Sequence, residues 1–318
     1  MWTYLARRVL QAIFTLLIIT VICFTLTRLS SDPMAQYARS QMTQEDKDRI
    51  RHQLGLDQPM PIQYLRWLGE VVRGELGNSF FSKQPVLTMI GQRLPLTLIL
   101  MITAQTIIIF LALGLGIISA VKQYSLTDNI ITALSFIGYS MPIFFIALGL
   151  MLIFAVKFKE LGLPYLPTGA DIWDPSNPLE LIEHMILPVS ALVIIQTAGY
   201  QRFIRTSLLE VLGMEYVRTA RAKGLSERTV LFRHALRNAA LPLITLIGLD
   251  IPYLFAGALV TESVFAWPGM GRLFWEYAQR GDFPVVLGVL LIVSTLVVVF
   301  SILTDIAYTF VDPRIRLT

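Results

Sequence analysis

The chain has 318 residues, of which 55% are hydrophobic and only 15% charged, and its mean hydropathy is +0.63. Soluble domains carry roughly 25% charged residues, so this composition excludes a soluble globular protein. The net charge of +4 is no argument for nucleic acid, because basic residues of membrane proteins gather on the cytoplasmic side; the expected surrounding is a lipid bilayer, with no nucleic-acid partner. The single cysteine, Cys23, sits in an apolar block, which rules out an intramolecular disulfide and a CxxC metal or redox pair.

Apolar blocks of about twenty residues each suffice to span a bilayer, and six can be traced in chain order. Residues 9–27 form a charge-free run of nineteen, preceded by Arg7 and Arg8 and closed by Arg28. The run is longer than a signal-peptide core of roughly 7–15 residues and lacks an A-x-A-like exit, so a retained first helix is expected there, residues 1–29 comprising an N-terminal tail and this helix. Residues 30–95 are polar by comparison, with turn signals at Asp32-Pro33, Gln58-Pro59 and Gly74. They read as an extracytoplasmic helical region, in which Thr43, Glu45 and Asp46 mark the start of a helix reaching Leu54. Residues 96–121 and 130–156 are charge-free and joined by a short connection, predicting a helical hairpin, and Pro142 is expected to kink its second arm.

Residues 157–183 collect Pro164, Pro167, Pro175 and Pro178 with Tyr165 and Trp173, which suits an interfacial loop with aromatic anchors. Residues 185–201 give a weaker fourth span, residues 239–261 a fifth interrupted by Asp250, and residues 283–304 a sixth. The reading is therefore an all-α polytopic membrane protein with six transmembrane helices, in which residues 96–318 form a five-helix core with an inner loop at 202–238. With both termini inside, the segments 1–8, 122–129, 202–238 and 311–318 hold thirteen Lys or Arg, against two in each short outer loop. That asymmetry predicts cytoplasmic termini.

The sequence contains no G-x-x-x-x-G-K-[ST], H-E-x-x-H, G-x-S-x-G or G-x-G-x-x-G pattern, so catalytic equipment is not expected. His52, His184 and His234 lie far apart in the chain, which argues against a metal site. The informative stretch is the inner loop from Glu215. Glu215 to Lys223 has good helix formers, Gly224 suits a left-handed C-terminal cap, and Ser226 suits the start of a second short helix. Helix, sharp turn, helix is the expected result. A basic amphipathic segment lying on anionic lipid is the other reading, since residues 202–238 carry eight Lys or Arg against three acids.

This stretch resembles the cytoplasmic loop of ABC importer permeases, whose pattern is Glu-Ala-Ala, three variable residues and glycine. Aligning Gly224 with that glycine places Arg218, Thr219 and Ala220 at the triplet, so only the last alanine is kept. Elsewhere the chain is similar to the B-type permease subunit of dipeptide/oligopeptide/nickel importers. The similarity runs in order through Asp32-Pro33, Leu54-Gly55-Leu56-Asp57, Pro59, Tyr64, Gly74 to Ser79, Arg93 to Leu98, Tyr216 to Ser226 and Glu262 to Gly271. The resemblance implies a type I ABC importer permease fold. It further implies a homologous permease partner, separate ATP-binding subunits and an extracytoplasmic solute-binding protein, in a bacterial or archaeal inner membrane. No cofactor is expected on this chain; ATP and Mg belong to the partner subunits. Glu215, Tyr216, Arg218, Ala220, Arg221, Ala222, Lys223, Gly224, Leu225 and Ser226 would form a coupling helix seated on an ATPase. Small Ala220 and Ala222 would permit close approach, and the arginines would pair with acids of the partner.

Four residues are candidates for the translocation path or its gate: Asp250, Glu262, Trp267 and Gly269. Asp250 lies eleven residues into its block, about 16 Å along a helix, hence near midplane, and an acid there is a functional-site candidate. It could attract a peptide's amino group, be protonated, or bond a neighbouring helix such as the one bearing Gln196. Gln105, Gln196 and Tyr200 read as helix-to-helix hydrogen bonds, and Asp305 as emerging near the inner headgroups. The competing functional class is a stand-alone secondary transporter with Asp250 as its proton-linked acid, although no inverted repeat of the kind many such carriers show is evident. Which solute is carried, whether peptide, nickel or oligosaccharide, is not written in these residues.

Overall fold

A computed structural model describes residues 2–30, 43–53, 55–169, 174, 176–255 and 258–311. Asp32-Pro33, Leu54 and Trp173 lie outside these. Among the described residues there is no β-strand, only one isolated bridge between Asn78 and Pro85. The chain divides into two compact units, residues 1–96 with 268–318 and residues 97–267.

In the first unit, α1 (Trp2–Ser30) packs along α12 (Phe283–Val311). Each carries a charge-free run long enough to span a bilayer, residues 9–27 of α1 and 283–304 of α12, with the charged residues confined to the helix ends. Arg8 pairs with Asp305, so the acid expected near the headgroups has an arginine of another helix beside it. The helix expected from Thr43 is α2 (Gln44–Gln53). Thr43 donates to Asp46 Oδ2 at 2.7 Å and accepts from the Asp46 amide at 3.2 Å, and the hydroxyl contact holds the Asp46 carboxyl below its usual range. Helix α3 (Met60–Val72) lays Tyr64 and Trp67 on Phe24 of α1, with ring centroids 5.6 and 5.5 Å apart. A core of Leu76, Val86, Met89, Ile90, Met270, Leu273, Val285 and Val289 joins the start of α4 (Val86–Val121) to α11 (Met270–Arg280) and α12.

In the second unit α4 continues past Pro95, which lacks the N–H that the Gly91 carbonyl would receive. The hairpin expected at residues 122–129 is present, but its second arm begins earlier, as α5 (Leu126–Ser140). Pro142 does more than kink that arm. Helix α5 ends at Ser140, α6 (Ile143–Leu150) restarts after Met141-Pro142, and the chain runs on helically to Glu160 at 104° to α5. The fourth block, weak in hydropathy, is the middle of α7 (Pro178–Leu212). Helices α4 and α7 are each about 52 Å or more in length, well beyond the roughly 30 Å hydrocarbon core.

The fifth block is not one helix. It consists of α9 (Leu241–Asp250), a 3₁₀ segment Ile251–Phe255 and, beyond residues 256–257, α10 (Leu259–Val264); the short helix α8 (Glu215–Ala222) precedes them. The six expected spans thus reduce, among the described residues, to four helices long and apolar enough to cross, or five with the bent pair. The physical reason is proline: Pro142 and Pro252 each withdraw a backbone donor where the apolar run alone predicts continuity.

Candidate functional site

The loop after α7 folds as its residue types demand. In α8, Val217 and Ala220 are three apart and therefore share a face. Both are buried, in a cluster with Ala120, Leu208, Val211, Val230, Ala235 and Ala239. The base of the projection is thus clamped between the ends of α4 and α7. This corrects the expectation for Ala220, which faces the chain's own core; Ala222 points the other way and is exposed. Glu215, Tyr216, Arg218, Arg221, Lys223, Leu225 and Ser226 are exposed as well.

The turn closes through Gly224, whose φ is +75° and whose amide donates to the Arg221 carbonyl at 2.9 Å. A left-handed φ is readily adopted only by glycine. Ser226 then accepts from the Thr229 amide and starts the next helical stretch, which reaches Ala239 through a π-turn over Val230–Ala235. Both arginines bond within the loop: Arg218 meets Glu215 at 3.0 Å, and Arg221 grips Glu227 through two nitrogens at 2.9 and 3.3 Å. Exposed pairs of this kind contribute only about 0–1 kcal/mol, so they can be exchanged for acids of another protein. Asn238 donates to Tyr216 Oη at 2.7 Å and ties the end of the loop back to its start.

Beside this projection lies a group that the sequence reading missed. Asp128, only 2% exposed, receives Arg205 Nε at 2.9 Å and Nη2 at 2.7 Å, the Ser119 hydroxyl, and the Tyr124 amide at 2.9 Å. It thereby fixes the turn between α4 and α5, where Tyr124 has a φ of +63°, to α7 about two turns before that helix ends. The available signal was Ser125-x-x-Asp128: Ser125 accepts from the Asp128 amide at 3.2 Å, the first half of a capping box. Arg205, 77 residues away, gives no such signal.

Asp250 is the last residue of α9, where the α-helix gives way to the 3₁₀ segment. It accepts from the Tyr200 hydroxyl, which in turn accepts from Gln105 Nε2 at 3.0 Å. Of the three helix-bridging groups expected, Gln105 and Tyr200 take that role, and Tyr200 rather than Gln196 reaches the acid. Gln201, wholly buried, accepts from Ser135 at 3.2 Å.

The gate candidates are placed differently. Glu262 is wholly buried and accepts from Thr97 at 2.8 Å, joining two stretches that the resemblance had picked out separately. It is therefore an internal strut, not a carboxylate offered to solvent. Trp267 is 2% exposed, after an Ala266 with φ of +51°. Gly269 precedes α11 as its N-cap. In the other unit, Ser79 donates to buried Asp282 at 2.6 Å, and the Phe81 amide reaches the same oxygen at 3.2 Å. Among the described residues, no three His, Cys, Asp or Glu come together as a metal would require.

Comparison with known proteins accounts for nearly the whole chain. Residues 112–317 match the family described as "Binding-protein-dependent transport system inner membrane component", and residues 1–101 the one described as "Binding-prot-dependent transport system membrane comp, N-term". The oligopeptide transport system permease protein AppB of Bacillus subtilis (strain 168) is 40% identical over 320 residues, covering 99% of this chain and 100% of that protein. The dipeptide transport system permease protein DppB of Escherichia coli (strain K12) is 37% identical over 336 residues, covering 99% of each. A solved structure described as the crystal structure of an amino acid ABC transporter with histidines shares the fold, with a TM-score of 0.51 and 15% identity over 72% of this chain and 95% of that one. With its long apolar helices and the helical projection beneath α7, the chain belongs to the family of inner membrane permease components of binding-protein-dependent transport systems.

Proposed function

We propose that this chain is one of the two membrane halves of an ATP-driven peptide importer. It lines part of the path, and its projection takes up movement from a separate ATP-hydrolysing subunit. The observation that carries this reading is the construction of the 215–226 projection. Its inner face is locked to the ends of α4 and α7 through Val217 and Ala220, while its outer face and the Gly224 turn are exposed. A rigid lever of this kind converts displacement of a docked subunit into tilting of membrane helices. Family membership supports the remaining partners: a homologous permease, ATP-binding subunits that hold ATP and Mg, and an extracytoplasmic solute-binding protein. The names of the relatives AppB and DppB support peptides as cargo. The surplus of basic residues on the projection's side supports cytoplasmic termini.

A stand-alone proton-coupled carrier is set aside, because the family is one of components that work with a binding protein. The test is co-purification with the ATPase subunits, followed by reconstitution into proteoliposomes with labelled dipeptides and tripeptides. Uptake should require ATP and survive an uncoupler. Uptake abolished by the uncoupler and indifferent to ATP contradicts the proposal.

A further inference from the structure

We propose that Asp250, presented by Tyr200 and Gln105, is a cation station that favours cargo carrying ammonium groups; this rests on the reading of the chain as a peptide permease. Three helix-borne acids can be compared. Asp128 has Arg205 and Asp305 has Arg8. Asp250 is bonded to a neutral tyrosine, and among the described residues no Lys, Arg or His lies within ion-pair distance of it. Among the described residues its charge therefore has no cationic partner.

The surrounding backbone adds to the negative potential. Asp250 stands where α9 passes into the 3₁₀ segment Ile251–Phe255, a change of helix type that disturbs the regular run of backbone hydrogen bonds. Two residues later Pro252 has no N–H to offer the Gly248 carbonyl. Interrupted helices whose released backbone carbonyls meet a cation are a recurrent device in membrane transport.

The hydrogen bonds run one way: amide N–H of Gln105 to the Tyr200 oxygen, then Tyr200 O–H to the carboxylate. Tyr200 and Gln105 are 8% and 9% exposed, so this support is fixed from the protein side. Asp250 itself is only partly buried, and its neighbours Leu249 and Tyr253 are 53% and 64% exposed. The acid is thus held from behind and open in front. An asparagine oxygen would accept from Tyr200 equally well, and unlike Glu262, which is wholly buried against Thr97, Asp250 keeps part of its surface exposed. A carboxylate at this depth is costly and its charge is the property left to explain.

The test exploits that difference. The complete importer, with its ATPase subunits and binding protein, is reconstituted in proteoliposomes. ATP-dependent uptake of Ala-Lys-Ala and of Ala-Glu-Ala is measured as a ratio, for the native chain and for Asp250→Asn. The binding protein is common to both, so its own preference cancels. Removing the charge while keeping the acceptor should lower the lysine-to-glutamate ratio about tenfold, as for loss of a bond to a charged group. An unchanged ratio overturns the proposal. Where Asp250→Asn transports neither peptide, Asp250→Glu decides: recovery of uptake with the native ratio supports the cation station, and continued loss overturns it. A native importer that takes up no peptide at all refutes the peptide reading itself, and this proposal with it.

Discussion

Replacing Arg205 with methionine isolates the most deeply set ion pair beside the projection. The substitution keeps much of the side chain's length but removes both nitrogens that meet Asp128. The carboxylate, 2% exposed, would keep only the Ser119 hydroxyl, the Tyr124 amide and a long 3.4 Å contact from Thr132. Breaking a buried pair by deleting one partner costs about 3–5 kcal/mol. The Arg205 side chain is 23% exposed, so water can reach part of the site and the lower end, about 3 kcal/mol, is expected. At about 2–4 °C per kcal/mol for a domain of comparable size, that is a fall in Tm of about 6–12 °C. The assay is thermal unfolding of the purified importer in detergent, followed by intrinsic fluorescence. The double variant Asp128→Asn, Arg205→Met no longer buries an unpaired charge and should recover more than half of the loss. A single-variant shift below about 2 °C, or a double variant that merely sums the two singles, would refute the assignment of Asp128 and Arg205 as a coupled pair.

Gly224→Val should leave the protein inserted and assembled but abolish ATP-dependent uptake. No atom lies within 4 Å of an added Cβ at this position, so the fault would lie in the left-handed φ of +75° that aims the projection; undiminished uptake by a well-expressed variant counts against the lever. In Gly116→Val the new Cβ would stand 2.7 Å from Ile204 Cγ2, forcing α4 and α7 apart at a cost of about 1–3 kcal/mol, readable as a lower Tm. Thr97→Val removes the hydroxyl that donates to buried Glu262 and should cost about 1–3 kcal/mol by the same measurement. The depressed Asp46 carboxyl stabilises the start of α2 fully above its unfolded pKa of about 3.9. That contribution is lost as pH falls through the lower folded value. Amide exchange in residues 44–53 should therefore quicken, relative to neighbouring helices, only in strong acid, and not at all in Thr43→Val.

The sequence was most legible where composition alone decides. Residues 9–27 and 283–304 are apolar on every side, and α1 and α12 contain them. Legibility fell where charge interrupts a long helix: Glu180, Glu183, Arg202, Arg205 and Glu210 disguised α7 as a seventeen-residue span, though they continue the same helix on either side of it. It fell again at Pro142 and Pro252, because hydropathy reports burial in lipid and not the supply of backbone donors. Within the candidate site, Gly224 and Ser226 could be read locally, since caps and turns depend on a few consecutive residues. Asp128 with Arg205, and Glu262 with Thr97, could not, because nothing in one stretch announces a partner 77 or 165 residues away. The side of α8 on which Ala220 falls is also legible, from its three-residue spacing to Val217, whereas small size alone does not say which face of a helix an alanine occupies.

The lever is tested most directly at Ala222, the small exposed residue on its outward face. A photo-reactive amino acid placed there, in the assembled importer and during ATP-dependent uptake, should cross-link to the ATP-hydrolysing subunit. Cross-linking to the extracytoplasmic binding protein, or none to the ATPase while uptake proceeds, would contradict the account.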